Sequence, residues 1–398
     1  MTASENTGAL RGLRVVEMGQ LIAGPFCGQL LGDMGADVIK IEPPGRGDPM
    51  REWGLGEEKV HWEVIGRNKR SVSCNLRVPE GQEIARKLIE TADVLIENFK
   101  PGTLERWNLD PADLIASKPD LIVARMSGYG QTGPYADRPG FGGIGEAFGG
   151  WRYIVGDPDR PPARMGVSIG DTLTASYGAL GVLAALHHRD RTGEGQIVDT
   201  ALYESVLQAM EGLVAEYDRS GIVRERAGSI LPGIAPSNVY ACSDGPFMIG
   251  ANNDAIFARL AEAMGQPELA ENPRYKTHLA RGRNQAELDE VINRWTAGKT
   301  VTEVESLMDA HSIPAGRVYT AADMVEDPHY AAREAIVERQ TSRGPLKMQG
   351  VFPKLSKTPS SIRRAAPPAP GADNAEIYGE LLGWDEEELA RKETAGVI

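Results

Sequence analysis

The sequence has few cysteines, and it contains no recognisable metal-binding or membrane-spanning pattern. Its three cysteines, Cys27, Cys74 and Cys242, are far apart and form no C-x-x-C pair, which argues against a disulfide framework or a zinc site and favours the reducing cytoplasm. The six histidines form no H-x-x-x-H pattern, so we expect no metal. The first residues lack an apolar signal region, and no run of about 18 apolar residues occurs, so we expect no signal peptide and no membrane span.

Basic residues are outnumbered by acidic ones. The formal net charge is -13 over 398 residues, which argues against nucleic acid or an anionic membrane as a partner. A small anionic ligand stays compatible, because a few basic side chains can line one pocket. The length exceeds that of a typical single domain and indicates two domains, or one large domain with an insertion. The 41% of hydrophobic residues is ordinary for a globular protein.

Two common catalytic signatures are also missing. The turn Gly19–Pro25 after the first predicted strand lacks the G-x-G-x-x-G spacing that lets a dinucleotide pyrophosphate approach the backbone, although a helix N-terminus there can still bind an anion. No G-x-S-x-G nucleophile elbow occurs, since Ser127-Gly128 is followed by Tyr129-Gly130. These absences disfavour an NAD-dependent enzyme and a serine hydrolase.

Strands and helices alternate along the first half of the chain. This alternation predicts a mostly parallel sheet in a doubly wound α/β fold. The predicted strands are 14–18, 37–42, 70–76, 93–98, 121–126 and 195–199, and the predicted helices are 25–34, 79–91, 111–117, 171–187 and 202–217. Asp110 is the expected N-cap of the third helix, and residues 128–150 are expected to form a glycine-rich loop.

The segment from about 238 to 314 has a different composition. It contains a predicted hairpin, 239–241 with 247–249, and helices near 255–264 and 285–295, which indicates a smaller α+β domain. Residues 363–373 are rich in proline and alanine and are predicted to be a surface linker.

Asp171 follows Ser168-Ile169-Gly170 and precedes a helical run. The simplest interpretation of an aspartate there is an N-cap. A carboxylate at a strand-to-helix junction can also act as a covalent nucleophile, and the helix N-terminus would keep it ionised. Both interpretations stay open at this point, and they are compatible with each other.

Polar residues also follow the strand 93–98. Ligands bind outside the carboxyl ends of strands in open α/β sheets, so Asn98 and Arg106 are candidate ligand contacts. An Asx turn beside solvated basic residues is the simpler interpretation of the same residues. The cluster Asn68-Lys69-Arg70-Ser71 is either a solvated edge or a phosphate contact.

In order and spacing, these segments resemble the CaiB/BaiF (class III) CoA-transferase family over nearly the whole chain. The matching segments are Leu10–Glu17, Ile22–Pro25, Gly35–Glu42, Gly47-Asp48, Asn68–Ser71, Glu97–Gly102, Ser127–Gly130, Gly170-Asp171 and Thr192–Gln196.

The resemblance implies CoA transfer between carboxylic acids through Asp171. The aspartate attacks an acyl-CoA thioester, a mixed anhydride forms, and the thiolate returns to give an aspartyl-CoA thioester that the acceptor acid then resolves. Glycine-rich backbone would stabilise the oxyanions. Following family habit and the basic side chains Arg138 and Arg164, we expect succinyl-CoA as donor and a small dicarboxylic acid as acceptor. No tightly bound cofactor is expected; CoA is a substrate.

The resemblance also implies a fold and a set of CoA contacts. The family fold is a Rossmann-like large domain with a parallel sheet plus a smaller α+β domain, in an interlocked homodimer. The expected boundaries are 1–220 for the large domain, 221–335 for the small domain with its flanking linker, and 336–398 for a segment that returns to the large domain. The implied CoA contacts are Ile22, Ala23, Cys74, Asn75, Leu76, Arg77, Asn98, Phe99, Lys100, Arg106, Arg138 and Phe141.

The chain departs from some family members. Pro232–Pro236 stands where the formyl-CoA:oxalate branch has a four-glycine loop, and Pro43 replaces a CoA-contacting arginine of that branch, so oxalate and formate are not the expected substrates. α-Methylacyl-CoA racemases carry a histidine base where this chain has Phe141, which cannot move a proton. A racemase-like epimerase and a CoA-binding protein without turnover remain the alternatives.

Overall fold

A computed structural model describes residues 6–398 of the chain, which divide into two compact units. The large unit comprises the described residues up to Trp151 together with Met165–Ser220 and Pro328–Ile398. The small unit comprises Arg152–Arg164 and Gly221–Asp327.

The large unit is built on a six-stranded sheet in which every pairing is parallel. Its strands are β1 (Arg14–Glu17), β2 (Asp37–Glu42), β3 (Lys69–Ser73), β4 (Val94–Glu97), β5 (Ile122–Ser127) and β6 (Ile197–Ala201). They are ordered β3-β2-β1-β4-β5-β6, so the order reverses between β1 and β4. The doubly wound α/β fold is confirmed, and the crevice beyond the carboxyl ends of β1 and β4 is its topological switch point.

The described helices and remaining strands follow the chain order. The helices are α1 (Ala23–Asp33), α2 (His61–Ile65), α3 (Pro79–Glu90), α4 (Thr103–Arg106), α5 (Pro111–Ser117), α6 (Gly142–Phe148), α7 (Trp151–Ile154), α8 (Ile169–Thr192), α9 (Leu202–Gln208), α10 (Leu213–Ser220), α11 (Asp254–Ala263), α12 (His278–Arg283), α13 (Gln285–Thr296), α14 (Val301–Ala310), α15 (Ala321–Glu326), α16 (Pro328–Ala332), α17 (Asn374–Leu382) and α18 (Glu386–Thr394). The remaining strands are β7 (Ser237–Ala241), β8 (Pro246–Gly250), β9 (Ala315–Arg317), β10 (Ile336–Thr341) and β11 (Gly344–Gln349), and short 3-10 turns span Pro49–Glu52 and Pro267–Ala270.

Consecutive strand residues face opposite sides of the sheet, so each strand contributes side chains to two apolar cores, one on each face. Val16 packs in the core that also contains Ile84 of α3 and Tyr378 of α17. Its neighbour Val15 packs on the other side, with Cys27 of α1 and with the alanines of α8. Both faces of the sheet are thereby covered by helices, which accounts for the continuous apolar runs in the sequence.

Local signals set the ends of several helices. Pro79 and Pro111 occupy first helical positions, and the side chain of Asp110 accepts the N–H of Ala112 as predicted. At the other end of α1, Gly35 has φ of +112° and its N–H donates to Gly32, which ends the helix in the left-handed conformation that glycine tolerates.

Three sequence predictions are wrong in detail. The expected loop 128–150 contains helix α6, and the expected helix 202–217 is two helices, α9 and α10, with Glu211 at positive φ between them. The expected surface linker 363–373 is anchored to the large unit: the Pro367 carbonyl accepts from Arg51 and Trp62, and the buried Asp373 accepts the N–H of Ser71. These contacts join residues about 300 positions apart in sequence, which local composition does not encode.

Helix α8 combines length with an apolar composition. It is the one helix among residues 6–398 that is long and apolar enough to cross a membrane by those criteria, and a core helix passes the same test. Its buried residues, among them Ala175, Ala179 and Val182, pack against α1 and the sheet. One face of α8 is thus packed within the large unit, whereas side chains such as Leu180 on the helix are exposed.

The small unit has its own sheet and core. The antiparallel strands β7, β8 and β9 are ordered sequentially, and the predicted hairpin is confirmed. Phe247 of β8, Phe257 of α11 and Leu288 of α13 lie in one apolar cluster. The guanidinium of the buried Arg281 donates to the carbonyls of Ala235, Tyr275 and Asn252 and to Asp254, so a buried cation organises this unit.

Candidate active site

The loop that follows β1 is held by the residue that follows β4. The Asn98 side-chain oxygen accepts the N–H of Gln20 at 2.7 Å, and its amide donates to the Gln20 carbonyl at 2.8 Å. Gly19 and Gly24 allow this approach, because a β-carbon on Gly19 would lie 2.8 Å from the Asn98 oxygen. Asn98 therefore shapes the loop 19–22 at the switch point, with Ile22 at the N-cap of α1 and Ala23 as its first residue.

A buried group of charges lies beneath the same loop. The Lys40 ammonium is 3.2 Å from Glu17 and 2.8 Å from Asp48, and the Lys69 ammonium is 2.8 Å from Glu17, with all four side chains fully buried. The Asp48 carboxylate also accepts the N–H of Leu21 at 3.0 Å. The two positive and two negative charges balance, and they connect three strands of the sheet to the β1–α1 loop.

The balance of burial and charge differs between the two lysines. Burial lowers the pKa of Lys40, but the neighbouring carboxylates of Asp48 and Glu17 outweigh it and raise the pKa above its usual value. Burial dominates at Lys69 and lowers the pKa of that ammonium. Lys69 belongs to the basic cluster seen in the sequence. Its side chain is committed to Glu17 and to the Pro25 carbonyl, so it is neither a solvated edge nor a phosphate ligand.

Glu97 ends β4, immediately before the predicted CoA-binding segment. Its carboxylate accepts from Arg125 at 2.8 Å and from the N–H of Phe99 at 2.7 Å. Burial raises the pKa of Glu97 to about 7, against the lowering effect of the Arg125 charge. Phe99 in turn packs edge-on to Trp107, with ring centroids 5.0 Å apart. The start of the segment 98–100 is therefore anchored by a buried carboxyl group.

Asp171 is the third residue of α8, and Ser168 is the N-cap. The interpretation of Asp171 as an N-cap is therefore wrong, because the helix begins two residues earlier than the sequence predicted. The run Ser168-Ile169-Gly170-Asp171 has the S-x-x-D spacing that marks a helix starting at Ile169, and this signal was overlooked. The helix dipole favours a negative charge in this first turn.

Helix α8 brings Asp171 to the same edge of the sheet as the switch point. Only residues 193–196 separate α8 from the parallel strand β6, so α8 runs against the strand direction and its N-terminus lies on the carboxyl side. Its 24 residues span about 36 Å, compared with about 17 Å for a five-residue strand. The first turn of α8 therefore extends toward the edge where Asn98 and the β1–α1 loop lie.

The backbone of α6 packs against the nucleophile candidate. A β-carbon on Gly142 would lie 1.9 Å from the Asp171 Oδ2 atom. On the same helix, the fully buried Glu146 accepts the N–H of Gly170 at 3.5 Å. Neither Gly142 nor Glu146 was identified from the sequence, where this segment was interpreted as a loop.

The other residues implied by the resemblance lie in the large unit, but in varied settings. The Cys74 thiol is buried and donates to the Gly81 carbonyl, and burial raises its pKa to about 12, so its side chain faces the core. Arg106 donates to the Thr103 hydroxyl, and the Arg138 guanidinium lies 3.6 Å from the Tyr135 ring centre. The remaining ones are Asn75, Leu76 and Arg77 in the turn before α3, Lys100 after β4, and the exposed Phe141 as the N-cap of α6.

One of the two basic residues on which the expectation of a dicarboxylic acid rests lies in the other unit. Arg164 belongs to the small unit, not to the unit that carries Asp171. Within residues 6–398, no group of three or more histidine, cysteine, aspartate or glutamate side chains is arranged to hold a metal ion. The candidate site of the large unit is therefore a carboxylate at a helix N-terminus together with the ordered loops of an α/β switch point.

Comparison with known proteins identifies the class of protein that carries this arrangement. A family model described as CoA-transferase family III matches residues 10–374. The chain belongs to this family, and the enzyme class expected from the sequence, a CoA-transferase, is confirmed.

Individual relatives cover nearly the full chain. The succinyl-CoA–D-citramalate CoA-transferase of Chloroflexus aurantiacus is 53% identical over 391 residues, 97% of either chain. The succinate–glutarate CoA-transferase of Agrobacterium fabrum is 35% identical and covers 94% of this chain and 95% of its own. A CaiB/BaiF family protein from Brucella suis matches in structure with a TM-score of 0.83 and 35% identity, over 94% of this chain and 99% of that one.

Proposed function

We propose that this enzyme transfers CoA from succinyl-CoA to a small dicarboxylic acid, with Asp171 as the covalent nucleophile. The observation that carries the proposal is the position of the Asp171 carboxylate in the first turn of α8, on the carboxyl side of the sheet. The choice of acids is supported by the relatives, whose names pair succinyl-CoA or succinate with citramalate, glutarate or mesaconate.

The chemistry conserves the thioester energy without water or ATP. A carboxylate oxygen of Asp171 attacks the succinyl carbonyl and the C–S bond breaks. CoA departs as its thiolate, and a mixed anhydride of Asp171 and succinate remains. The thiolate then attacks the aspartyl carbonyl and succinate departs as its carboxylate. The acceptor carboxylate attacks the aspartyl-CoA thioester, the C–S bond breaks, and a second mixed anhydride forms as the thiolate is released. The thiolate then attacks the acceptor acyl carbon, and the anhydride C–O bond breaks to regenerate the Asp171 carboxylate.

CoA is proposed to lie along the switch-point loops. Ile22 and Ala23 at the start of α1 offer backbone N–H groups to an anion, and Asn98, Phe99 and Lys100 follow β4 across the same crevice. Cys74 contributes only its backbone, because its thiol is buried. The other proposed contacts are Asn75, Leu76, Arg77, Arg106, Arg138 and Phe141.

We further propose that the enzyme works in the cytoplasm as a homodimer without a resident cofactor. Exposed apolar side chains support the dimer. Phe141, Val167 and Leu180 are 60–70% exposed in the single chain, and several large apolar side chains on a surface are typical of one that a partner covers.

The proposal is tested by intact-protein mass spectrometry after mixing with succinyl-CoA. We expect an adduct with the mass of CoA less water on the parent, mapped to the peptide that contains Asp171, and none on Asp171→Asn. Addition of D-citramalate, glutarate or mesaconate should discharge the adduct and identify the acceptor. A panel of acyl-CoAs that gives α-proton exchange with solvent deuterium but no adduct would instead identify an epimerase, and tight CoA binding unaffected by the substitution would identify a binding protein.

A further inference from the structure

The helix that packs against the nucleophile has an unusual composition. α6 and the two residues after it read Gly-Gly-Ile-Gly-Glu-Ala-Phe-Gly-Gly, and the glycines permit close packing on two sides. A β-carbon on Gly145 would lie 2.6 Å from the side chain of Leu202, and one on Gly149 would lie 2.7 Å from that of Val206. α6 is thereby set tightly against α9, so its position is determined by packing and not by its own weak helix propensity.

The opposite side of α6 faces the first turn of α8. Gly142 and Glu146 are four residues apart and therefore share one helix face. On that face Gly142 meets the Asp171 carboxylate, while the Glu146 side chain meets Gly170: a β-carbon on Gly170 would lie 3.2 Å from the Glu146 Cγ and 3.1 Å from the Gly142 carbonyl oxygen. The two helices therefore touch at backbone distance around the nucleophile.

Glu146 is a carboxylate with no exposed surface. Burying such a group is costly unless it is hydrogen-bonded, and one bond that it makes is to the N–H of Gly170, the residue before Asp171. That N–H belongs to the first turn of α8, where a helix has no backbone acceptor of its own. The side chain of the N-cap residue Ser168 does not cap the turn, so Glu146 acts as an acceptor supplied by a neighbouring helix.

We infer that Glu146 is a positioning residue for CoA transfer: it fixes the first turn of α8 through the Gly170 N–H and so sets where the Asp171 carboxylate meets the thioester. This inference rests on the proposed role of Asp171. Removing an acceptor at a helix N-terminus weakens the turn by an amount that corresponds to about a tenfold change in an equilibrium. The effect should fall on the rate of acylation, not on binding of the CoA thioester.

The test uses a matched pair of substitutions of similar size. Glu146→Gln keeps a side-chain oxygen that can accept from Gly170, and Glu146→Met fills the space without an acceptor. Single-turnover formation of the Asp171 adduct from succinyl-CoA is followed by quenched mass spectrometry. We expect Glu146→Gln to react within about threefold of the parent and Glu146→Met about tenfold more slowly, with the KM for succinyl-CoA unchanged and thermal unfolding confirming that both fold.

Two results would overturn the inference: Glu146→Met acylating at the parent rate, or Glu146→Gln being as slow as Glu146→Met. A change confined to KM would do the same, because it would assign Glu146 to binding. If the parent itself forms no adduct at Asp171, the proposed function fails and the inference fails with it. An adduct on the parent with equal rates in all three proteins removes only the role of Glu146.

Discussion

The α-carbon of Gly142 lies against the carboxylate of Asp171, so closely that a β-carbon at position 142 would sit 1.9 Å from Oδ2. No side chain fits there unless the carboxylate or the backbone of α6 moves. Glycine at this position is thus a requirement for the observed placement of the Asp171 carboxylate.

Gly142→Ala should therefore impair CoA transfer far more than it impairs folding. A displacement of about 1 Å in a reacting group costs on the order of 100-fold in rate, and we expect at least that loss in kcat, measured with succinyl-CoA and the best acceptor. The matched control is Gly166→Ala, since a β-carbon at Gly166 would meet nothing within 4 Å. Parent-like turnover in Gly142→Ala would show that the close approach has no bearing on catalysis.

Asn98 offers a second test at the switch point. Its side chain makes two hydrogen bonds to the backbone of Gln20, each contributing about 1 kcal/mol. Asn98→Ala should loosen the β1–α1 loop and raise the KM for succinyl-CoA roughly tenfold with a smaller change in kcat, as steady-state kinetics would measure. Asn98→Asp, which keeps one acceptor but places a carboxylate beside the Gln20 carbonyl, should be at least as impaired.

The control for the Asn98 variants is Asn293→Ala. It removes a comparable side-chain bond, to the N–H of Ala241, in the small unit. We expect this control to leave the KM unchanged. An unchanged KM in Asn98→Ala as well would mean that the β1–α1 loop keeps its shape without the two hydrogen bonds from Asn98.

How far the sequence predicts this site depends on the range of each interaction. Strand Asp37–Glu42 and helix Pro111–Ser117 were predicted to the residue, because apolar periodicity, a proline and an aspartate cap act within a few positions. The predicted start of α8 is two residues late, because the Gly170-Asp171 pair resembles a cap, whereas the N-cap is Ser168, directly before the first turn.

Local signals of this kind do not predict interactions between segments that are distant in sequence. Asn98 and Gln20 are 78 residues apart, and Glu146 and Gly170 are 24 apart. Neither pair has a periodicity or a motif of its own, and each exists because the sheet order brings β1 beside β4 or because glycines let α6 approach α8. The family resemblance identified the nucleophile candidate, but not the residues that hold it in place.

The buried charges beneath the β1–α1 loop predict a large effect on stability. Lys40→Met would leave Glu17 and Asp48 without the ammonium that contacts both of them. Breaking a buried pair by removing one partner typically costs about 3–5 kcal/mol, so we expect a strong drop in the unfolding midpoint of the large unit, measured by urea denaturation. Lys69→Met should behave similarly, because its ammonium contacts Glu17.

Lys276→Met is the control for this series. Its ammonium pairs with Glu271 at 2.8 Å, but both side chains are more than half exposed, and exposed pairs contribute little. We expect a negligible shift in the midpoint for this variant. Equal effects for Lys40→Met and Lys276→Met would contradict the assignment of a structural role to the buried group.

The pH dependence of stability should report on Glu97. Burial raises its pKa in the folded chain to about 7 from an ordinary value of 4.5. Between those two values the folded protein holds a proton that the unfolded chain has released, so this group makes stability fall as pH rises from about 4.5 to about 7, with no further change above. Glu97→Gln cannot ionise and should remove that slope.

The measurement is the difference in thermal midpoint between Glu97→Gln and the parent from pH 5 to pH 8. We expect a small difference at pH 5, where Glu97 is protonated and resembles glutamine, and a growing advantage for the variant up to about pH 7. Glu90→Gln, on the exposed face of α3, controls for loss of one negative charge. If the thermal midpoint of the parent instead rises relative to that of Glu97→Gln as pH increases, the Arg125 charge outweighs burial and keeps Glu97 ionised.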